Sequence, residues 1–180
     1  MGSSALEHSR LAYAADFVIH GLAVALLAGL IGVAGPPSER AAMGALIALG
    51  LLSWSLLEYL AHRFVLHGLP PFSVWHAAHH ERPTALICTP TAVSAALIVL
   101  LVFLPALLLG DRWRAAALTL GVMTGYLGYS CMHHAVHHWR GGGRWMYARQ
   151  HAHAMHHRRG ATGYYGVTTS FWDHVFRTLK

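Results

Sequence analysis

The chain alternates long apolar stretches with short polar breaks and histidine-rich segments. Four apolar stretches can be drawn, at 17–34, 41–61, 86–109 and 115–132. Each has roughly the 17 to 25 residues an α-helix needs to cross a hydrocarbon layer about 30 Å thick. The breaks Gly-Pro-Pro-Ser-Glu-Arg at 35–40 and Gly-Asp-Arg-Trp-Arg at 110–114 are short, so the stretches predict two helical hairpins. Two hairpins put residues 62–85 and 133–180 on the same side of a membrane. The expected fold class is all-α integral membrane, with four transmembrane helices in two hairpins and a histidine-rich helical cap. A single domain is expected over 1–180. It divides into a loose or added leader at 1–12, a first hairpin at 13–61, a histidine-rich link at 62–85, a second hairpin at 86–132 and a histidine-rich cap at 133–180. The first stretch starts too far into the chain, and has the wrong flanks, for a cleaved signal peptide, so it is expected to remain.

Composition agrees with this pattern: 55% of residues are hydrophobic and only 11% charged. That is the balance of a membrane protein and not of a soluble domain. The net charge of +6 is unevenly spread. Arg10, Arg63, Arg82, Arg140, Arg144, Arg149, Arg158, Arg159, Arg177 and Lys180 fall on the histidine-rich side, against Arg40, Arg112 and Arg114 on the other. The positive-inside rule then makes the histidine side, and hence the cap, cytosolic, and a bacterial inner membrane is the expected location. Basic residues near anionic lipid explain the charge, so no nucleic-acid partner is expected. Cys88 and Cys131 form no CxxC pair, which argues against a thiolate zinc site and leaves them as packing residues.

Histidine supplies the candidate chemistry. Of 16 histidines, most fall into four clusters: His62 and His67; His76, His79 and His80; His133, His134, His137 and His138; and His151, His153, His156 and His157. Crowded neutral imidazoles would leave ring nitrogens without partners, and metal ions supply those partners. Four to five nitrogens per ion would fill a site for two ions. His76, His79 and His80 stand at i, i+3 and i+4, on one helix face, and His153, His156 and His157 repeat that HxxHH spacing. Adding His62, His67, His133 and His137 makes ten candidate metal ligands. His134 and His138 face away from the preceding pair and are expected to donate to the ligands or pack behind them. His20 stands alone in the first stretch and reads as a packing residue. His151 and His174 carry no ligand assignment.

The acids narrow the choices. Only seven Asp and Glu residues exist, too few for the carboxylate-rich ligand set of soluble four-helix di-iron proteins. No HExxH motif marks a zinc protease, and no GxGxxG motif marks a nucleotide site. Glu58 lies one turn before His62, either as an interfacial charge or as a carboxylate that orients a ligand imidazole, and Asp173 is placed with it. Gly121, Gly125 and Gly128 are expected to allow close helix packing. Tyr126, Tyr129, Tyr164, Tyr165 and Trp172 are candidate pocket residues, with Tyr129 grouped with Glu58 and Asp173 beside the reaction site.

The order EYLAHRFVLH, WHAAHH, GYLGYSCMHHAVHH, HAHAMHH, closed by GVTTSFWDHVFRT, resembles the fatty acid hydroxylase and sterol desaturase superfamily of membrane di-metal oxygenases, over about residues 55–180. Its ending is similar to the fatty acid and sphingolipid 2-hydroxylase branch. That resemblance implies two iron ions, for which zinc can substitute in purified protein, and O2 as co-substrate. It implies insertion of a hydroxyl group next to the carboxyl of a lipid acyl chain. The ligands it implies are His62, His67, His76, His79, His80, His133, His137, His153, His156 and His157. The chain departs from the branch at Ser130 and His134, where the third motif often carries Asp and Tyr. The expected partners are a membrane lipid and an external electron donor, such as a ferredoxin or a small haem protein with its reductase. Carotenoid or sterol-type hydroxylation and desaturation remain open within the superfamily. A zinc-dependent membrane hydrolase or a metal-handling protein remains open outside it.

Overall fold

A computed structural model describes residues 7–179. For residues 1–6, the expectation of a loose leader lies outside the described residues. The described residues form helices and connecting loops, with no strand among them. In chain order the helices are α1 (Arg10–Ala34), α2 (Arg40–Leu60), α3 (Phe72–Glu81), α4 (Thr91–Ile98), α5 (Leu104–Leu109), α6 (Arg112–His138), α7 (Gly143–His156) and α8 (Phe171–Val175).

Local chemistry explains the main boundaries. Ser9 Oγ accepts the Ala12 backbone N–H at 3.1 Å and so caps the start of α1. Gly35, Pro36 and Pro37 end it, because two prolines cannot continue the ladder of backbone donors. Asp111 caps α6 by accepting the backbone N–H groups of Trp113 at 2.7 Å and Arg114 at 3.1 Å. Two helical stretches widen into π-turns, at Ala61–Leu66 after α2 and at Val99–Phe103 between α4 and α5. The second precedes Pro105, whose ring would clash with the carbonyl four residues back in a regular helix.

The chain divides into two compact units. One comprises Ala14–Trp54 and Thr89–Leu127. Its core lies along α6, where Ala115, Ala116, Ala117, Leu120 and Val122 are buried. Here α2 and α6 meet backbone to backbone. A Cβ added to Gly121 would lie 2.1 Å from the Ile47 carbonyl oxygen, and one on Gly50 would lie 2.4 Å from that of Leu118. Gly125 packs on the Trp54 ring, whereas Gly128 faces open space, so close packing accounts for two of the three glycines expected to provide it.

Among the described residues, three helices are long and apolar enough to cross a membrane: Arg10–Ala34, Pro37–Leu66 and Thr91–Leu109. Their leucines and valines, among them Leu26, Val33, Leu52, Leu101 and Leu108, are exposed. Each such side chain forgoes about 1.5–3 kcal/mol in water and recovers it in lipid. These helices make the chain a membrane protein. α6 falls outside that group, because Gly, Thr, Ser and His interrupt its apolar residues.

The second unit comprises the residues up to Tyr13, Ser55–Cys88 and the residues from Gly128 onward. It contains all four histidine clusters. Gly141, Gly142 and Gly143 all have positive φ, at 88°, 106° and 76°, a run that only glycine adopts without strain. They reverse the chain between α6 and α7, and Gln150 Nε2 closes the turn by donating to the Trp139 carbonyl at 3.0 Å. After α7 an irregular segment leads to α8, which is tied to α2 where Trp172 Nε1 donates to Ser55 Oγ at 3.1 Å.

Candidate metal centre

His62 and His67 are five residues apart, which in an α-helix leaves them about 140° apart around the axis. The π-turn at Ala61–Leu66 removes that mismatch, and the two rings stack with centroids 5.3 Å apart. The wider turn is what turns both inward. On α3, His76, His79 and His80 project as their i, i+3, i+4 spacing predicts. His133 and His137 on α6 and His153, His156 and His157 on α7 complete the set.

Nine of these ten imidazoles converge in two groups. His62, His67, His76, His80 and His156 form one, and His79, His133, His137 and His153 the other, each with one ring nitrogen per residue within 4.8 Å of the rest. His76 Nε2 sits at the centre of the first, 3.0 Å from His62 Nε2 and 3.1 Å from both His67 Nε2 and His80 Nε2. His156 Nε2 is 3.1 Å from the same atoms of His67 and His80. In the second group, His137 Nε2 lies 2.7 Å from His153 Nε2 and 3.1 Å from His79 Nε2. His157 stands outside both groups. Its Nε2 is 3.1 Å from His153 Nε2, and its ring stacks on His80 at 4.1 Å.

Hydrogen bonding cannot account for this convergence. A neutral imidazole nitrogen carries one proton or one lone pair, so His76 Nε2 can satisfy one of its three neighbours. Two neighbours have their tautomer set. His62 Nδ1 donates to the Tyr165 carbonyl, and His156 Nδ1 donates to the Gly163 carbonyl at 2.8 Å, so both Nε2 atoms direct lone pairs into the group. Lone pairs converging without protons are the donor set of a cation, and the residues fit a metal ion in each group.

Electrostatics acts in the same direction. Burial, reinforced by neighbouring imidazoles, pushes His79 and His80 down to about 3 and His67 and His137 to about 4. Burial and then His80 bring His157 to about 2. Burial holds His76, His133 and His153 well below the ordinary value, and lowers His156. These nine rings, eight of the grouped imidazoles together with His157, are therefore neutral at pH 7, the form that ligates.

The acids meet the backbone beside the histidines. Neither Glu58 nor Asp173 is hydrogen-bonded to an imidazole of the two groups. Both are buried, and both hold the segment 163–168. Glu58 Oε1 accepts the backbone N–H groups of Val167 at 2.7 Å and Thr168 at 2.9 Å, and Oε2 accepts the Thr168 hydroxyl. Asp173 accepts the N–H groups of Tyr165 at 2.9 Å and Gly166 at 2.8 Å, and the Thr178 hydroxyl at 2.7 Å. The same segment offers the carbonyls of Gly163 and Tyr165 to His156 and His62. These carbonyls escaped the sequence reading, since every residue has one; only the run GVTTS followed by Asp173 marked the region.

Of the remaining candidates, Tyr129 stacks on His133 with centroids 5.7 Å apart. His134 and His138 stack on one another at 4.5 Å, and His134 Nδ1 pairs with the Tyr13 hydroxyl at 3.2 Å. His174 Nδ1 donates to the Ser170 carbonyl at 2.8 Å, and His151 lies exposed beside Tyr147. His20 is buried in the other unit, where Nδ1 meets the Asp16 carbonyl at 2.9 Å.

Comparison with known proteins agrees with the resemblance drawn from the motifs. The chain is 34% identical over 148 residues to dihydroceramide fatty acyl 2-hydroxylase FAH2 of Arabidopsis thaliana, covering 76% of this chain and 61% of that protein. It is 32% identical to fatty acid 2-hydroxylase of Rattus norvegicus, over 74% of this chain and 39% of that one. The chain thus spans about two to three fifths of the length of these relatives. Among solved structures, its fold is similar to that of full-length scs7p, of which only the hydroxylase domain is visible. The TM-score is 0.79 at 24% identity, over 93% of this chain and 66% of that one. The family model for fatty acid hydroxylase matches residues 47–178, and the chain belongs to that family.

Proposed function

We propose that the protein is a lipid hydroxylase that converts a C–H bond of a membrane lipid to C–OH, with carbon 2 of a fatty acyl chain as the target. The observation that carries this reading is the pair of histidine groups, in which neutral imidazoles direct more lone pairs to common points than hydrogen bonds can use. The relatives named as 2-hydroxylases support the lipid and the position.

The ions are proposed to be iron, one held by His62, His67, His76, His80 and His156 and the other by His79, His133, His137 and His153, with His157 beside the second. Bound there, iron would supply the redox chemistry that O2 activation requires. The reaction balances as O2, two electrons and two protons per hydroxyl formed, with the second oxygen leaving as water. The electrons come from an external donor, a ferredoxin or a small haem protein with its reductase. The chain's own residues hold the imidazoles neutral through burial and fix two of them by their Nδ1 protons. They also keep the second group, with His79 and His153 buried, away from bulk water. The apolar helices support a substrate drawn from the bilayer. The topology proposed is four crossings, α6 supplying the fourth, with the histidine unit as a cytosolic cap at a bacterial inner membrane.

The test is lipid mass spectrometry on membranes from aerobic cells with and without the protein, paired with metal analysis of the purified chain. A histidine-dependent gain of one oxygen in 2-hydroxyacyl species supports the reading. Oxygen gained in a carotenoid or sterol-type lipid would reassign the substrate. No oxidised lipid, despite bound iron and a supplied donor, would overturn the hydroxylase.

A further inference from the structure

The two histidine groups are supported differently. In the group of five, two ligand imidazoles are braced through Nδ1 by carbonyls of the segment 163–168. That segment is itself pinned by two buried carboxylates. Between them, Glu58 and Asp173 accept the N–H groups of four consecutive residues, Tyr165, Gly166, Val167 and Thr168. The Tyr165 carbonyl shares its peptide unit with the Gly166 N–H that Asp173 holds, and the Gly163 carbonyl shares its own with the Tyr164 N–H, which donates at 2.9 Å to the carbonyl of Thr178, whose hydroxyl donates to Asp173. In the group of four, His79 and His153 are buried, yet among the described residues their Nδ1 atoms have no hydrogen-bond partner, and neither has Nδ1 of the adjacent His157. No hydrogen bond from the described residues orients those rings through their second nitrogen.

Resting on the metal-binding reading above, we infer that the two sites are unequal, the group of five holding its ion tightly and the group of four exchangeably, with Glu58 and Asp173 acting as positioning residues for the tight site. A ligand imidazole whose Nδ1–H is bonded to a carbonyl is a stronger donor and is already oriented. Loss of such support costs about 10–100-fold in metal affinity. Both carboxylates act on the metal through a backbone segment and two histidines.

The experiment loads the full chain with Zn2+ in detergent and follows release to a chromogenic chelator, after metal analysis has fixed the starting content. The expected wild-type result is two ions leaving in two separate phases. His79→Ala removes the fast phase and leaves the slow one. Glu58→Ala and Asp173→Asn accelerate the slow phase by about 10–100-fold while leaving the fast phase in place, which also reports that the chain is folded. Thr168→Val, a milder change that removes one hydroxyl from Glu58, gives a smaller acceleration. Glu58→Gln retains slow release, because its amide oxygen still accepts the Val167 and Thr168 N–H groups. Two ions leaving in one phase, or a slow phase untouched in Glu58→Ala, Asp173→Asn and Thr168→Val, would overturn the inequality alone. A wild-type chain that binds no zinc would overturn the metal-binding reading with it.

Discussion

Adding metal to the apo protein at pH 6 should release almost no protons. An imidazole of ordinary pKa, about 6.5, is about three-quarters protonated at pH 6, so nine ordinary histidines would shed about seven protons on metallation. His67, His79, His80, His137 and His157 lie at about 4, 3, 3, 4 and 2, and His76, His133, His153 and His156 are lowered by the same burial. The first five are therefore neutral before the metal arrives, and the other four are shifted toward the neutral form by the same burial. Titration calorimetry of Zn2+ into the apo chain, in two pH 6 buffers of different ionisation heat, measures the protons released. The expected count is below about one per chain, and a count near seven would refute the argument that folding deprotonates the site. The same linkage sets the stability of the apo protein. The folded values lie below the unfolded one, so the unfolded chain binds more protons as pH falls below about 6.5. Stability is therefore full above that pH and drains away below it. For His79, buried and held at about 3, the loss by pH 5 is about 2 kcal/mol. The apo melting temperature should fall between pH 7.5 and 5, and less steeply in His79→Ala; a flat profile would contradict the linkage.

Other expectations follow from particular contacts. His76→Ala removes the nitrogen that three others face and should leave the purified chain with one ion fewer, by metal analysis, with loss of hydroxylated lipid. Gly121→Ala puts a Cβ 2.1 Å from the Ile47 carbonyl, so α2 and α6 must part by more than an ångström. Thermal unfolding in detergent should show a loss of about 1–3 kcal/mol, whereas Gly128→Ala, facing open space, should be neutral. Gly166→Ala would set a Cβ 2.9 Å from Asp173 Oδ2 and closer still to the Thr169 carbonyl, and should lower metal content without changing helix content by circular dichroism.

Much of the protein is legible along the chain. Apolar stretches of sufficient length announce membrane helices because the hydrocarbon thickness is a one-dimensional constraint. The HxxHH spacings announce ligand faces because three and four residues make about one α-helical turn. What sequence spacing left open has a common cause. The HxxxxH pair needed a π-turn to face one way, and α-helical periodicity does not announce one. The stretch 115–132 reads as a span by length, yet its helix is also the buried centre of one unit, where close backbone contact at Gly121 matters more than hydropathy.

Sequence by itself determined the family, the helical class, three membrane-crossing helices and the supply of imidazoles, since these depend on residue type and local period. Only the tertiary structure decided which imidazoles share a centre. It divided ligands from four distant segments into a group of five and a group of four and left His157 between them. It also decided the work of Glu58 and Asp173, which reach the histidines through the carbonyls of Gly163 and Tyr165. The physical reason is that a backbone carbonyl carries no residue signature. Its role is set by where distant parts of the chain bring it, and that is a property of the fold.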